Sequence, residues 1–174
     1  MTVNKKLAIF DLDHTILKCN SDHSWLDYLI NKGFIKKEDY FEQNAEFQKK
    51  FREGNVNYKD YYEFTIQYLK DKSDDYISNI RSDFMREIIE PSINIYALRL
   101  IHKHYEKDDE LLLASGTTSI IANPIAKRLE FKNVVCTKCG QKNNLYTGKI
   151  EGPPSLGEGL SLIHISEPTR RTDI

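Results

Sequence analysis

Two aspartates, Asp11 and Asp13, stand two residues apart directly after the apolar run Leu7-Ala8-Ile9-Phe10. Carboxylates this close repel one another, which is costly unless a cation or a phosphoryl reaction makes use of the charge. At the carboxyl end of a buried strand they also stand where open α/β sheets bind ligands. A second group with chemistry ends another apolar run: Leu111-Leu112-Leu113-Ala114 leads into Ser115-Gly116. A hydroxyl and backbone N–H groups at such a place can hold a phosphoryl oxygen. Cys136-Thr137-Lys138-Cys139 offers half of a tetrahedral zinc site, but Cys19 and the histidines lie in other segments, so the pair alone does not define a metal centre. His102 and His104 fall on the surface of an expected helix, and His14, beside the aspartates, is given no role.

The elements that must carry these residues follow from the hydrophobic pattern. Leu7–Phe10, Leu111–Ala114 and Val134–Cys136 are short, continuously apolar runs, as strands buried on both faces should be. Between the last two, Ile120, Ile121, Ile125, Ala126 and Leu129 recur at helical spacing. Strand, loop, helix, strand makes a βαβ unit and a parallel sheet. A further helix, from Ile93 to Tyr105, places Ile93, Ala97, Leu98, Ile101 and Tyr105 on one face. Residues 18–85 differ. Trp25, Leu26, Leu29 and Ile30, then Phe41, Ala45, Phe47 and Phe51, then Tyr58, Tyr61, Tyr62, Phe64 and Leu69 recur at three and four, with breaks at Gly33, Gly54-Asn55 and 71–74. The pattern predicts four helices inserted after the first strand, with these aromatics forming the core of a small bundle.

The 174 residues suit one domain with an insertion. Twenty-five basic against 26 acidic residues give a net charge of −1, so no global field draws the chain onto nucleic acid or anionic lipid. The longest apolar runs fall far short of the ~20 residues of a spanning helix. The N-terminus carries no signal-peptide core, and three cysteines make no disulfide framework. The expected setting is cytoplasmic, with no membrane and no nucleic-acid partner.

An apolar strand followed by Asp11-Leu12-Asp13-His14-Thr15 resembles the nucleophile motif of the haloacid dehalogenase-like (HAD) superfamily, and Leu113-Ala114-Ser115-Gly116 resembles its Ser/Thr motif. Asn123-Pro124-Ile125-Ala126, Tyr146-Thr147-Gly148-Lys149, Gly152-Pro153-Pro154 and Asn20-Ser21-Asp22-His23-Ser24-Trp25 look like the phosphoserine phosphatase-like branch, which includes histidinol-phosphate phosphatases. The resemblance implies an α/β fold: a Rossmann-like core with a parallel sheet over residues 1–17 and 86–159, and a helical cap over 18–85. It implies a Mg2+-dependent phosphomonoesterase acting on a small phosphorylated metabolite through an aspartyl-phosphate. Asp11 would be nucleophile and Mg2+ ligand. Asp13 would serve as general acid and base, its backbone carbonyl also binding Mg2+. Thr15 would orient the loop, and Ser115 and Gly116 would hold the phosphate.

The chain departs from that family at its end. A lysine is expected after the Gly157-Glu158-Gly159 stretch, and an acidic pair on a later strand, yet no lysine follows Lys149. Residues 1–159 hold 18 Lys and 5 Arg while the last 15 hold no Lys and 2 Arg, and Leu160 to Arg170 resembles the translation of a sequencing-library adapter. The expectation is therefore an incomplete core, a non-native tail over 160–174 and an inactive chain. The alternative is a non-catalytic binding module on the same fold, which those departures would also fit.

Overall fold

A computed structural model describes residues 5–156. β1 (Leu7–Phe10) is followed by a tight turn over Leu12–Ile16, then by α1 (Ser21–Asn31), α2 (Lys37–Arg52), α3 (Tyr58–Ile66) and α4 (Asp74–Phe84). A π-helical stretch, Met85–Ile89, and a single turn, α5 (Glu90–Ser92), carry the chain back to α6 (Ile95–Glu106). β2 (Glu110–Thr118), α7 (Ser119–Arg128) and β3 (Asn133–Thr137) then form the βαβ unit, and β4 (Cys139–Lys142) and β5 (Leu145–Ile150) a hairpin.

The sheet order is β1-β2-β3, parallel throughout, with Leu7 opposite Glu110 and Phe10 opposite Leu113. The expected parallel α/β sheet and four inserted helices are present. α7 buries Ile120, Ile121, Ile125 and Ala126, the stripe its spacing predicts. α1 and α4 meet through Trp25 and Phe84, edge to face at 5.0 Å.

Four expectations need correction. β1 is not buried on both faces: Leu7 and Ile9 are 54% and 47% exposed, because the face they share is left uncovered by the described residues while Phe10 on the opposite face is buried. Ser115-Gly116 is not a loop; β2 runs on to Thr118, with an irregularity in its register to β3 after Ala114, and α7 begins at Ser119. α2 adds nothing to a buried core, since Phe41 and Ala45 are exposed and no residue of the helix is fully buried. It leans on α3 through rings instead, Phe47 on Phe64 and Phe51 on Tyr61, both at 5.0 Å. Tyr105 lies outside the buried stripe of α6, where only Ile101 is enclosed. The tail over 160–174 and the position expected for a lysine lie outside the described residues.

Among the contacts that join the helical insertion to the rest, two lie at its root and its far side. At its root Leu17 and Ile93 form an antiparallel bridge, flanked by Lys18 N–H donating to the Ser92 carbonyl and Asn94 N–H to that of Ile16. At its far side Tyr146 of β5 donates its hydroxyl to Asp74 at the start of α4, which also pairs with Arg81.

Candidate active site

The turn after β1 owes its shape to three side chains. Leu12, Ile16 and Leu17 are wholly buried, which drags the backbone inward while Leu17 N–H closes the turn on the Leu12 carbonyl at 2.9 Å. His14 between them takes a φ of 57°, a region that non-glycine residues rarely adopt and that recurs at functional loops. The turn thereby holds Asp11 exposed and Asp13 half-buried at the end of β1.

The two carboxylates have different surroundings. Asp11 Oδ1 accepts from its neighbour's N–H, Leu12, at 2.8 Å, and Oδ2 has only a long contact of 3.4 Å from Thr15 Oγ1. Its remaining lone pairs face the cleft. Asp13 is fully engaged: Oδ1 accepts from Ser21 N–H at 2.9 Å and Ser21 Oγ at 2.6 Å, and Oδ2 from Thr117 Oγ1 at 3.1 Å. Ser115 Oγ donates onward to Thr117 Oγ1 at 3.0 Å.

These groups line one cleft of about 500 Å3 between the carboxyl ends of β1 and β2 and the helices above. Its floor is Asp11, Asp13, Ser115, Gly116 and Thr117; its roof is Gln48, Phe51, Tyr58, Tyr61 and Tyr62. Of the residues singled out from sequence, Asp11, Asp13, Ser115 and Gly116 come together here, with Thr15 behind Asp11. A Cβ on Gly116 would stand 2.9 Å from Leu156 and 3.1 Å from Tyr62 Oη, which donates to the Gly116 carbonyl at 2.8 Å. The glycine thus lets the roof reach the strand. A larger groove, about 1090 Å3, lies between α4, α7 and the β4–β5 hairpin, away from the aspartates.

Sequence reasoning left out Ser21, Asp22, Thr117 and Thr118. Asn20 caps α1 through its side chain, so the Asn-Ser-Asp-His stretch is a helix start that a capping argument could have placed. Asp22 accepts from Thr118 N–H at 3.0 Å and from its hydroxyl at 2.7 Å. Burial of its carboxyl pushes the pKa up to about 7, against the pull of those bonds and helped by the charge of Asp13.

The donors fit a hard cation in part. Mg2+ is commonly held by one or two carboxylates, with water and substrate phosphate completing its octahedron. Asp11 offers an exposed carboxylate of that kind, whereas the carboxylate of Asp13 is already taken. Among the described residues no three His, Cys, Asp or Glu converge. Burial pushes the thiols of Cys136 and Cys139 up to about 11, and Cys136 Sγ donates to Asn123 Oδ1 at 3.6 Å. No helix among the described residues is long and apolar enough to cross a membrane.

Known proteins resemble this chain in sequence and in fold. A histidinol-phosphatase of Neisseria meningitidis serogroup C (strain 8013) is 33% identical over 156 residues, spanning 89% of this chain and 70% of that protein. A crystal structure of a protein of unknown function from Bordetella pertussis Tohama I superposes with a TM-score of 0.83 at 30% identity, covering 91% of this chain and 71% of the other. A substrate-bound phosphoserine phosphatase shares the fold at a TM-score of 0.58 and 20% identity, covering 93% and 71%. The family model for haloacid dehalogenase-like hydrolases matches residues 8–162, and the chain belongs to that family.

Proposed function

We propose that the protein is a Mg2+-dependent phosphomonoesterase that acts on a small phosphorylated metabolite through an aspartyl-phosphate on Asp11. The observation that carries this is the asymmetry of the two carboxylates: Asp11 is open to the cleft and nearly unpartnered, while Asp13, beside it, is held in one orientation by three donors. An exposed carboxylate is a nucleophile, and an oriented one a proton carrier. Bound Mg2+ would neutralise charge between Asp11 and the phosphate, with Asp11 and the Asp13 carbonyl as its protein ligands.

In the first step an Asp11 oxygen attacks phosphorus, the bond to the leaving oxygen breaks, and the proton of Asp13 passes to that oxygen. In the second, water attacks phosphorus, gives a proton to Asp13, and the Asp11–phosphorus bond breaks to release inorganic phosphate. Ser115 and the backbone at Gly116 line the cleft beside Asp11 and Asp13 to receive phosphoryl oxygens, and Thr15 steadies the Asp11 turn. The helices between β1 and β2 act as the cap that roofs the leaving group. Histidinol phosphate, the substrate that the Neisseria relative's name implies, is the first to try. The expectation of an inactive chain rests on residues at or beyond 157, outside the described residues.

The test is hydrolysis of p-nitrophenyl phosphate with saturating Mg2+. Asp11→Asn keeps the shape of the side chain but cannot attack phosphorus, and is expected to lose on the order of a thousandfold or more in kcat. A variant as active as the wild type would overturn the assignment; a wild type without turnover is the outcome that both the inactive chain expected from its end and the binding-module reading give.

A further inference from the structure

Asp13 sits at the end of a chain of hydroxyls. Thr117 N–H donates to Ser115 Oγ at 3.2 Å, Ser115 Oγ donates to Thr117 Oγ1, and the Thr117 hydroxyl in turn reaches Asp13 Oδ2 at 3.1 Å, with Ser21 Oγ also 3.1 Å away. Ser21 holds the other oxygen twice, through its N–H and its hydroxyl. The donors cannot drift. Ser21 is 0% exposed, Ser115 and Thr117 3% each, and a β-branched side chain on a strand has little χ1 freedom. A buried hydroxyl is costly to place without a partner, so three in a row, each with partners, form a built device.

We propose that Thr117 is a positioning residue for Asp13: with Ser21 opposite, it fixes the carboxyl in the orientation from which a proton reaches the leaving oxygen. This rests on the reading of Asp13 as the acid and base of the phosphatase reaction. Ser21 is the first residue of α1 and Thr117 the penultimate residue of β2, so the device spans the junction between helical insertion and sheet. The alignment of the proton carrier is thereby set by both parts at once. A displacement of about 1 Å in a reacting group can cost on the order of a hundredfold in rate, which is the leverage available to such a contact.

Leaving-group dependence separates positioning from general structural damage. Phenyl phosphate and p-nitrophenyl phosphate are similar in shape, but phenolate is the more basic leaving group and depends more on a proton delivered in the transition state. Thr117→Val keeps the volume and deletes the donor. It is expected to cut kcat/KM, which reports the steps up to departure of the leaving group, by about tenfold to a hundredfold for phenyl phosphate and by a few-fold at most for p-nitrophenyl phosphate. Thr117→Ser restores both. Ser21→Ala, which leaves the N–H donor in place, shows the same signature more weakly and serves if the valine variant folds poorly, as a thermal melt will show. Equal losses on the two esters, or no loss in either variant, overturn the proposal while the phosphatase reading stands. If Asp13→Asn retains wild-type turnover of both esters, the reading itself falls and the inference with it.

Discussion

The floor and the roof of the cleft are built on opposite plans. On the floor, Asp13, Ser21, Ser115 and Thr117 are buried or half-buried, and every hydroxyl has a hydrogen-bond partner within the cluster. The turn that presents Asp13 is pinned by three wholly buried aliphatic side chains. On the roof, α2 has no buried residue, Tyr58 is 47% exposed and Phe51 and Tyr61 half-buried, and the contacts are ring edges meeting ring faces. Hydrogen-bond networks tolerate one geometry, whereas aromatic edges slide with small changes in energy. The floor of the cleft is therefore rigid, and the roof can adapt.

The largest effect should come from the pins of the floor. Leu12→Ala empties a site with no solvent exposure and is expected to cost about 2–5 kcal/mol, while Phe41→Ala, on the half-exposed α2, should stay within about 0.5 kcal/mol. Urea denaturation of both variants decides this, and equal losses would erase the distinction between the two walls.

A smaller effect concerns pH. Asp22 binds its proton more tightly folded than unfolded, its pKa rising from 3.8 to about 7. The folded state then carries the extra proton between those values, so this group's contribution falls as pH rises from about 4 to about 7. Asp22→Asn keeps an acceptor for Thr118 N–H without the buried charge. Its melting temperature should exceed the wild type's by a few degrees above pH 7, and the gain should vanish near pH 4. A gain independent of pH would mean that the carboxyl is not buried as a charge.

The smallest belongs to the roof. Tyr58→Ala should raise KM several-fold for a bulky phosphate ester and leave kcat and stability near wild type. A fall in kcat with KM unchanged would place Tyr58 in the chemistry and sink the notion of an adaptable wall.

What the sequence made legible follows the same division. Asp11, Asp13 and Ser115 were readable because each ends a continuous apolar run, and such runs are strands in a parallel sheet. α7 was readable because its stripe packs on that sheet. The β4–β5 hairpin escaped notice because its strands are polar and short; its signal was Asn143-Asn144, which take φ of 52° and 62°, as a tight hairpin turn requires. α2 misled because its aromatics recur at helical spacing yet meet one partner helix instead of a core. Ser21 and Thr117 could not be paired from sequence at all, being 96 residues apart and joined only by the fold.

The bridge between Leu17 and Ile93 bears on how such a molecule can change over generations. The chain leaves the sheet and returns to it through hydrogen-bonded neighbours, so the ends of the whole helical insertion are held side by side. A segment anchored in this way can be lengthened, shortened or exchanged without altering the register of β1 on β2. Doubling its length adds only about 0.6 kcal/mol of closure entropy. The stem turns the roof into a replaceable part, on which new substrate preferences can be tried while the aspartates keep their places.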